Sequence, residues 1–85
     1  MIFKLTGQLK TMKNYHFSVI VEKDEDGYFA SCNELQGCVT QGDTYEEVID
    51  NIKDAISLHF TDRVESGEKV PQPQAVSLTH MELAI

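Results

Sequence analysis

Carboxylates, thiols and imidazoles are the groups with which this 85-residue chain could do chemistry, and their spacing decides how far each can go. Glu22, Asp24 and Asp26 share strand parity, an arrangement from which a two-metal nuclease could be built. Such a site needs several carboxylates converging on metals about 3.5–4 Å apart. Asp24 and Asp26 fall in a turn, where charge serves solubility, and no helix-borne acids point to the same sheet end. Catalysis is therefore not expected. Cys32 and Cys38 flank a five-residue loop and could oppose each other across two strands. Two cysteines are too few for a disulfide scaffold or a four-ligand zinc site, and free thiols are the expectation in a reducing compartment. His16, His59 and His80 are scattered without ligand spacing, so neither metal nor cofactor is expected. Gly37 and Gly42 are turn glycines, not a phosphate loop.

Those acids belong to a wider imbalance. Fourteen Asp and Glu against seven Lys and Arg give a formal charge of −7. Residues 1–23 carry a net +3, and residues 24–85 a net −10. Phosphate neutralisation needs clustered Lys and Arg, so a general nucleic-acid binder is excluded. A basic protein partner fits better, since complementary charge acts on encounter rate and specificity. Candidate contacts are Asp24, Glu25 and Asp26 in the turn, Glu34 in the following loop, and the acids of a downstream helix. No stretch approaches the roughly 18–20 apolar residues of a membrane span. The N-terminus lacks the basic-then-apolar order of a signal peptide, so a cytoplasmic setting is expected.

The elements that position these groups are legible from periodicity. Tyr15, Phe17, Val19 and Val21 alternate with His16, Ser18, Ile20 and Glu22, which predicts a strand with one buried face. Asp24-Glu25-Asp26-Gly27 makes the turn, and 28–32 the return strand. Leu35 is the single apolar anchor of the next loop. Cys38–Gln41 reads as a short third strand stopped by Gly42. Asp43 or Thr44 can cap a helix, each with a Glu three residues on. Tyr45, Val48, Ile49, Ile52, Ile56 and Phe60 form one apolar stripe, opposite a largely acidic face. Gly67 is a C-terminal cap, and Pro71 and Pro73 fix an extended connector. A final strand is expected over 75–81, and an edge strand or loose arm over 1–13. The order is β-β-β-α-β with an optional N-terminal strand: a single α+β domain over 1–85, its core about 15–80, one long helix on one sheet face. Edges and part of the outer face stay uncovered, which association into a homo-oligomer would protect.

The run GYFASCNELQGCVTQGDTYEEVIDNIKDAI resembles the HicB antitoxin family of type II toxin–antitoxin systems. The matching elements are Glu22 to Tyr28, Glu34-Leu35-Gln36-Gly37-Cys38, Thr40-Gln41-Gly42-Asp43-Thr44, Glu46-Glu47, and Gly67 with Pro71 and Pro73. Asn33 and Gln36 stand where the family often has Pro, giving a less constrained loop. The resemblance implies a partial RNase H-like fold, an oligomeric protein, and a partner of the HicA type. HicA toxins are small, basic, mRNA-cleaving proteins with a double-stranded-RNA-binding appearance and an essential histidine. It implies that this chain covers the active or RNA-binding surface of such a toxin. Many family members add a C-terminal DNA-binding module; 12 residues follow Pro73, too few for one, so direct DNA binding is not expected here. The alternative is a stand-alone oligomeric HicB-like module that regulates or binds a small ligand without a toxin.

Overall fold

Glu25 and Asp26 reverse the chain, and the sheet grows from that reversal. A computed structural model describes residues 14–85. β1 (Val19–Asp24) and β2 (Gly27–Cys32) pair antiparallel, in register from Val19 opposite Cys32 to Asp24 opposite Gly27. The Asp26 N–H donates to Asp24 Oδ1 at 2.8 Å, which satisfies a turn amide locally. β3 (Val39–Gly42) pairs antiparallel with β2, so the sheet order is β1-β2-β3. α1 (Tyr45–Glu65) packs on β2 and β3. The three-stranded antiparallel sheet under one long helix is the expected α+β architecture.

The helix ends where its sequence says. Thr44 is the N-cap: its Oγ1 accepts the Glu47 N–H at 3.0 Å. Of the two residues expected to cap, Asp43 lies one position before the cap, and its N–H donates to Glu47 Oε1. At the other end the Glu68 N–H reaches the Arg63 carbonyl and the Gly67 N–H the Val64 carbonyl. This double closure requires a left-handed residue after the helix, which Gly67 supplies with φ of 82°.

Ala30, Cys32, Leu35, Cys38, Val48 and Ile52 form the buried core, ringed by Phe17, Val19, Val21, Tyr28, Ile49, Ile56 and Phe60. The period-two and helical stripes thus meet as expected. Tyr45 is exposed on the stripe's outer turn, its ring set edge-on to Tyr28 with centroids 6.3 Å apart. Phe60 closes the far end against Tyr15 and Phe17, with centroids at 4.6 and 5.8 Å.

Two expected strands differ from the sequence pattern. Residues 15–18 form no strand, and ladder pairing begins only at Val19. Side chains take part of their backbone bonding: the Ser18 N–H donates to Glu34 Oε1 while its carbonyl accepts the Asn33 N–H, and the Gln72 amide both accepts from the His16 N–H and donates to the His16 carbonyl. The final strand expected over 75–81 is absent as a strand. Residues 76–80 lie beside β1, sharing hollows with Ser18–Lys23, but the segment joins no ladder. Pro71 and Pro73 lack donors at its approach, and its apolar alternation changes phase after Leu78, so one register cannot bury all of it. The strand or arm expected over 1–13 lies outside the described residues.

Candidate partner-binding surface

Local chemistry first sorts the acids into two kinds. Glu34 is 8% exposed and faces inward. Its Oε1 accepts the Ser18 N–H at 2.6 Å, its Oε2 accepts the Ser18 hydroxyl at 2.8 Å, and the Cys32 thiol points at it from 3.8 Å. Burial works against the charged carboxylate. The bonds from Ser18, its own amide and Cys32 outweigh that effect and hold the carboxyl below its ordinary value of 4.5. Glu34 therefore ties the loop to the start of β1, and its carboxylate is not presented to the outside as the sequence suggested.

Replacing it with Gln keeps the shape and removes the charge. Glu34→Gln is expected to lower stability near pH 7 by about 1–2 kcal/mol, the loss expected for hydrogen bonds to a charged group. A lowered folded value means that this contribution is fully present above the unfolded carboxylate range and fades as pH falls through the folded value. Urea melts of both proteins at pH 7 and pH 3 check this: their stability difference should shrink in acid. A difference that grows in acid would contradict the assignment.

Asp24, Glu25 and Asp26 are exposed at the hairpin tip. β3 brings them to the start of α1, because Gly42 lets the helix approach the sheet closely: a Cβ at Gly42 would stand 2.8 Å from the Val48 nitrogen. The Asn51 side chain fastens the junction by donating to the Gln41 carbonyl at 2.9 Å. Asp26, Asp43 and Glu47 consequently line one small hollow with Gln41, Gly42 and Asn51. Glu46, Asp50 and Asp54 continue the exposed acidic row along the helix at i, i+4 spacing. The first-turn acids also favour the positive end of the helix dipole.

Little positive charge offsets this surface. Among the described residues the single ion pair joins Arg63 to Glu68 at 4.0 Å. Arg63, the one arginine of the chain, also donates from Nη2 to the Gln36 carbonyl at 2.6 Å, tying the loop to the helix end. Among the described residues, no three His, Cys, Asp or Glu side chains are grouped to share a cation. Cys32 and Cys38 are both buried free thiols, held side by side by the Cys32 N–H to Cys38 carbonyl bond at 3.0 Å. Burial is the main force raising both thiols above their ordinary value, which makes them poor nucleophiles. No helix among the described residues is long and apolar enough to cross a membrane.

The junction of hairpin tip and helix start was only half legible. Its acids stand out in the sequence, but Gly42 read as a turn glycine rather than as the close approach that assembles them.

Fold and surface together define a small α+β module whose prominent external feature is a one-sided acidic face. Its sequence matches the family described as HicB_like antitoxin of bacterial toxin-antitoxin system over residues 17–83, and the chain belongs to that family. A UPF0150 protein of Synechocystis sp. is 41% identical over 63 residues, covering 73% of this chain and 80% of that protein. A UPF0150 protein of Thermoplasma acidophilum is 41% identical over 64 residues, 74% of this chain and 93% of the relative. Antitoxin HicB 1 of Photorhabdus laumondii is 33% identical over 75 residues, 87% of this chain but 48% of that longer protein.

Proposed function

We propose that this chain neutralises a small, basic, RNA-cleaving toxin of the HicA type by covering its active or RNA-binding surface with the acidic hairpin–helix face. The observation that carries this reading is the convergence of Asp26, Asp43 and Glu47 beside the exposed Asp24 and Glu25, in a chain of the antitoxin family. Such a face offers carboxylates to the same Lys and Arg that would otherwise hold RNA phosphates, so occupancy by one excludes the other. Outward charges of this kind act chiefly on the rate of encounter.

Co-expression with a small basic protein encoded beside this chain, where the genome carries one, tests the reading directly. Growth arrest by the neighbour should be relieved, and the two proteins should co-purify at low salt. A double variant, Glu25→Lys with Asp26→Lys, should slow association about tenfold at low ionic strength and much less at 0.5 M salt, where screening has shortened the Debye length. Unrelieved arrest together with no co-purification would leave the stand-alone regulatory module in its place.

A further inference from the structure

Rings, not aliphatic side chains, close the end of the core layer beside the hairpin tip. Tyr28 shares the inward parity of Ala30 and Cys32 but is only partly buried, and Tyr45, the first residue of α1, is 52% exposed. The two rings meet edge to face, with centroids 6.3 Å apart and planes at 77°. An edge-to-face pair leaves ring face open, and the face is the electron-rich side of an aromatic group. A cation already stands on one of them: the Lys23 ammonium lies 5.7 Å from the centroid of the Tyr28 ring. Register puts it there, since Lys23 and Tyr28 are opposite each other in the β1–β2 ladder. Lys23 is also the one Lys or Arg between residues 14 and 52. Acids border the rings along the chain: Asp24 and Asp26 between Lys23 and Tyr28, Asp43 and Glu46 on either side of Tyr45.

We propose that Tyr28 and Tyr45 form the seat for an arginine side chain of a basic protein partner, which takes the place of Lys23 on the ring and reaches the neighbouring carboxylates. The inference deepens the proposed function and rests on it for the class of partner; the seat itself belongs to this chain. Charge complementarity selects a cation over an apolar anchor, because an apolar side chain set here would take water from Asp24, Asp26, Asp43 and Glu46 without pairing them. Lys23 marks the position at which a cation is accepted. Arginine suits it better than lysine. Its planar guanidinium stacks on a ring while its edge offers paired N–H donors to a carboxylate, and it sheds water more readily than an ammonium. Lys23 comes away at little cost, since its Nζ bond to the Asp24 carbonyl is exposed and long at 3.5 Å. Tyrosine and arginine are also the residues that most often anchor an interface at its centre. The acids then set the rate of encounter, and the rings set the rate of dissociation.

The test uses the full chain and short capped peptides, Gly-Arg-Gly, Gly-Lys-Gly and the uncharged citrulline counterpart, followed by NMR of the tyrosine ring protons. Gly-Arg-Gly should shift the Tyr28 and Tyr45 rings and leave Tyr15, packed on Phe60 near the other end of α1, unmoved. A single side chain binds weakly, so the titration runs to about 50 mM; lysine should bind several-fold less tightly and citrulline not at all. Tyr45→Leu should weaken the arginine peptide about threefold, whereas Tyr45→Phe, which keeps the ring, should retain it. Lys23→Gln should tighten binding more than Lys53→Gln, which removes the same charge about two turns along the helix from Tyr45. Backbone amide spectra show whether each variant is folded. Silent Tyr28 and Tyr45 rings at the highest concentration overturn the inference. So does equal binding of the lysine or citrulline peptide, equal loss in Tyr45→Leu and Tyr45→Phe, or a Lys23→Gln effect no larger than that of Lys53→Gln. Relieved growth arrest with silent rings keeps the antitoxin and removes the seat; shifted rings with unrelieved arrest keep the seat and remove the toxin.

Discussion

Leu35→Ala is expected to lower the unfolding free energy by about 3 kcal/mol, within the 2–5 kcal/mol typical of such truncations in a core. Leu35 is fully buried although it sits in a loop. Its carbonyl accepts the Cys38 N–H at 3.0 Å, so the backbone holds the side chain in place and the site cannot collapse easily around a smaller residue. Loss of transfer energy and a residual cavity then add. The core is thin, six buried apolar residues among those described, and small domains have only about 5–15 kcal/mol in total. Urea denaturation should show the midpoint fall with an unchanged m-value. A loss below 1 kcal/mol would mean that the loop is anchored by its backbone bonds and by Glu34 rather than by this side chain.

Gly42→Val should be comparably damaging for a different reason. A Cβ at this position would meet the Val48 nitrogen at 2.8 Å and its Cα at 3.0 Å, and both are helix backbone. No rotamer change relieves that contact, so α1 must lift from the end of β3. Overpacking of this sort costs about 1–3 kcal/mol, toward the upper end where backbone has to move. Lifting the helix also parts Asp43 and Glu47 from Asp26 and breaks the Asn51 bond to Gln41. Thermal unfolding measures the first effect. The second appears as slower association, at low salt, with the basic toxin proposed above. A Gly42→Val protein as stable as the parent would remove close approach as the reason for glycine there.

Local patterns carried most of the fold. The β1–β2 hairpin, the helix with Thr44 and Gly67 at its ends, and the inward stripe of Val48, Ile52 and Phe60 depend on residues a few positions apart, and each appears as expected. What escaped depends on groups distant in sequence. Glu34 looks like any loop acid until Ser18, sixteen residues upstream, is seen donating to it twice. The residues before β1 read as strand because their side chains alternate correctly, while the backbone of His16 bonds Gln72, 56 residues away. Residues 75–81 contain apolar residues suited to a strand, but periodicity does not say whether a neighbouring strand is in reach to pair with them. The family resemblance, by contrast, was carried by turn residues such as Gly27, Gly37 and Gly42, whose spacing survives changes in the strands between them.

The bond between the Gln72 side chain and the backbone of His16 decides what else can pair with the chain ahead of β1. The carboxamide oxygen accepts the His16 N–H and its nitrogen donates to the His16 carbonyl, the same pair of bonds a neighbouring strand would make. Placed against His16, three residues before β1 begins, it fills that backbone position with a group that cannot itself be extended by another strand. Strand-on-strand growth, the route by which exposed edges lead to fibres, meets a terminator there. The backbone ahead of β1 is thereby satisfied by the chain itself and leaves no ladder position at His16 where another strand could start.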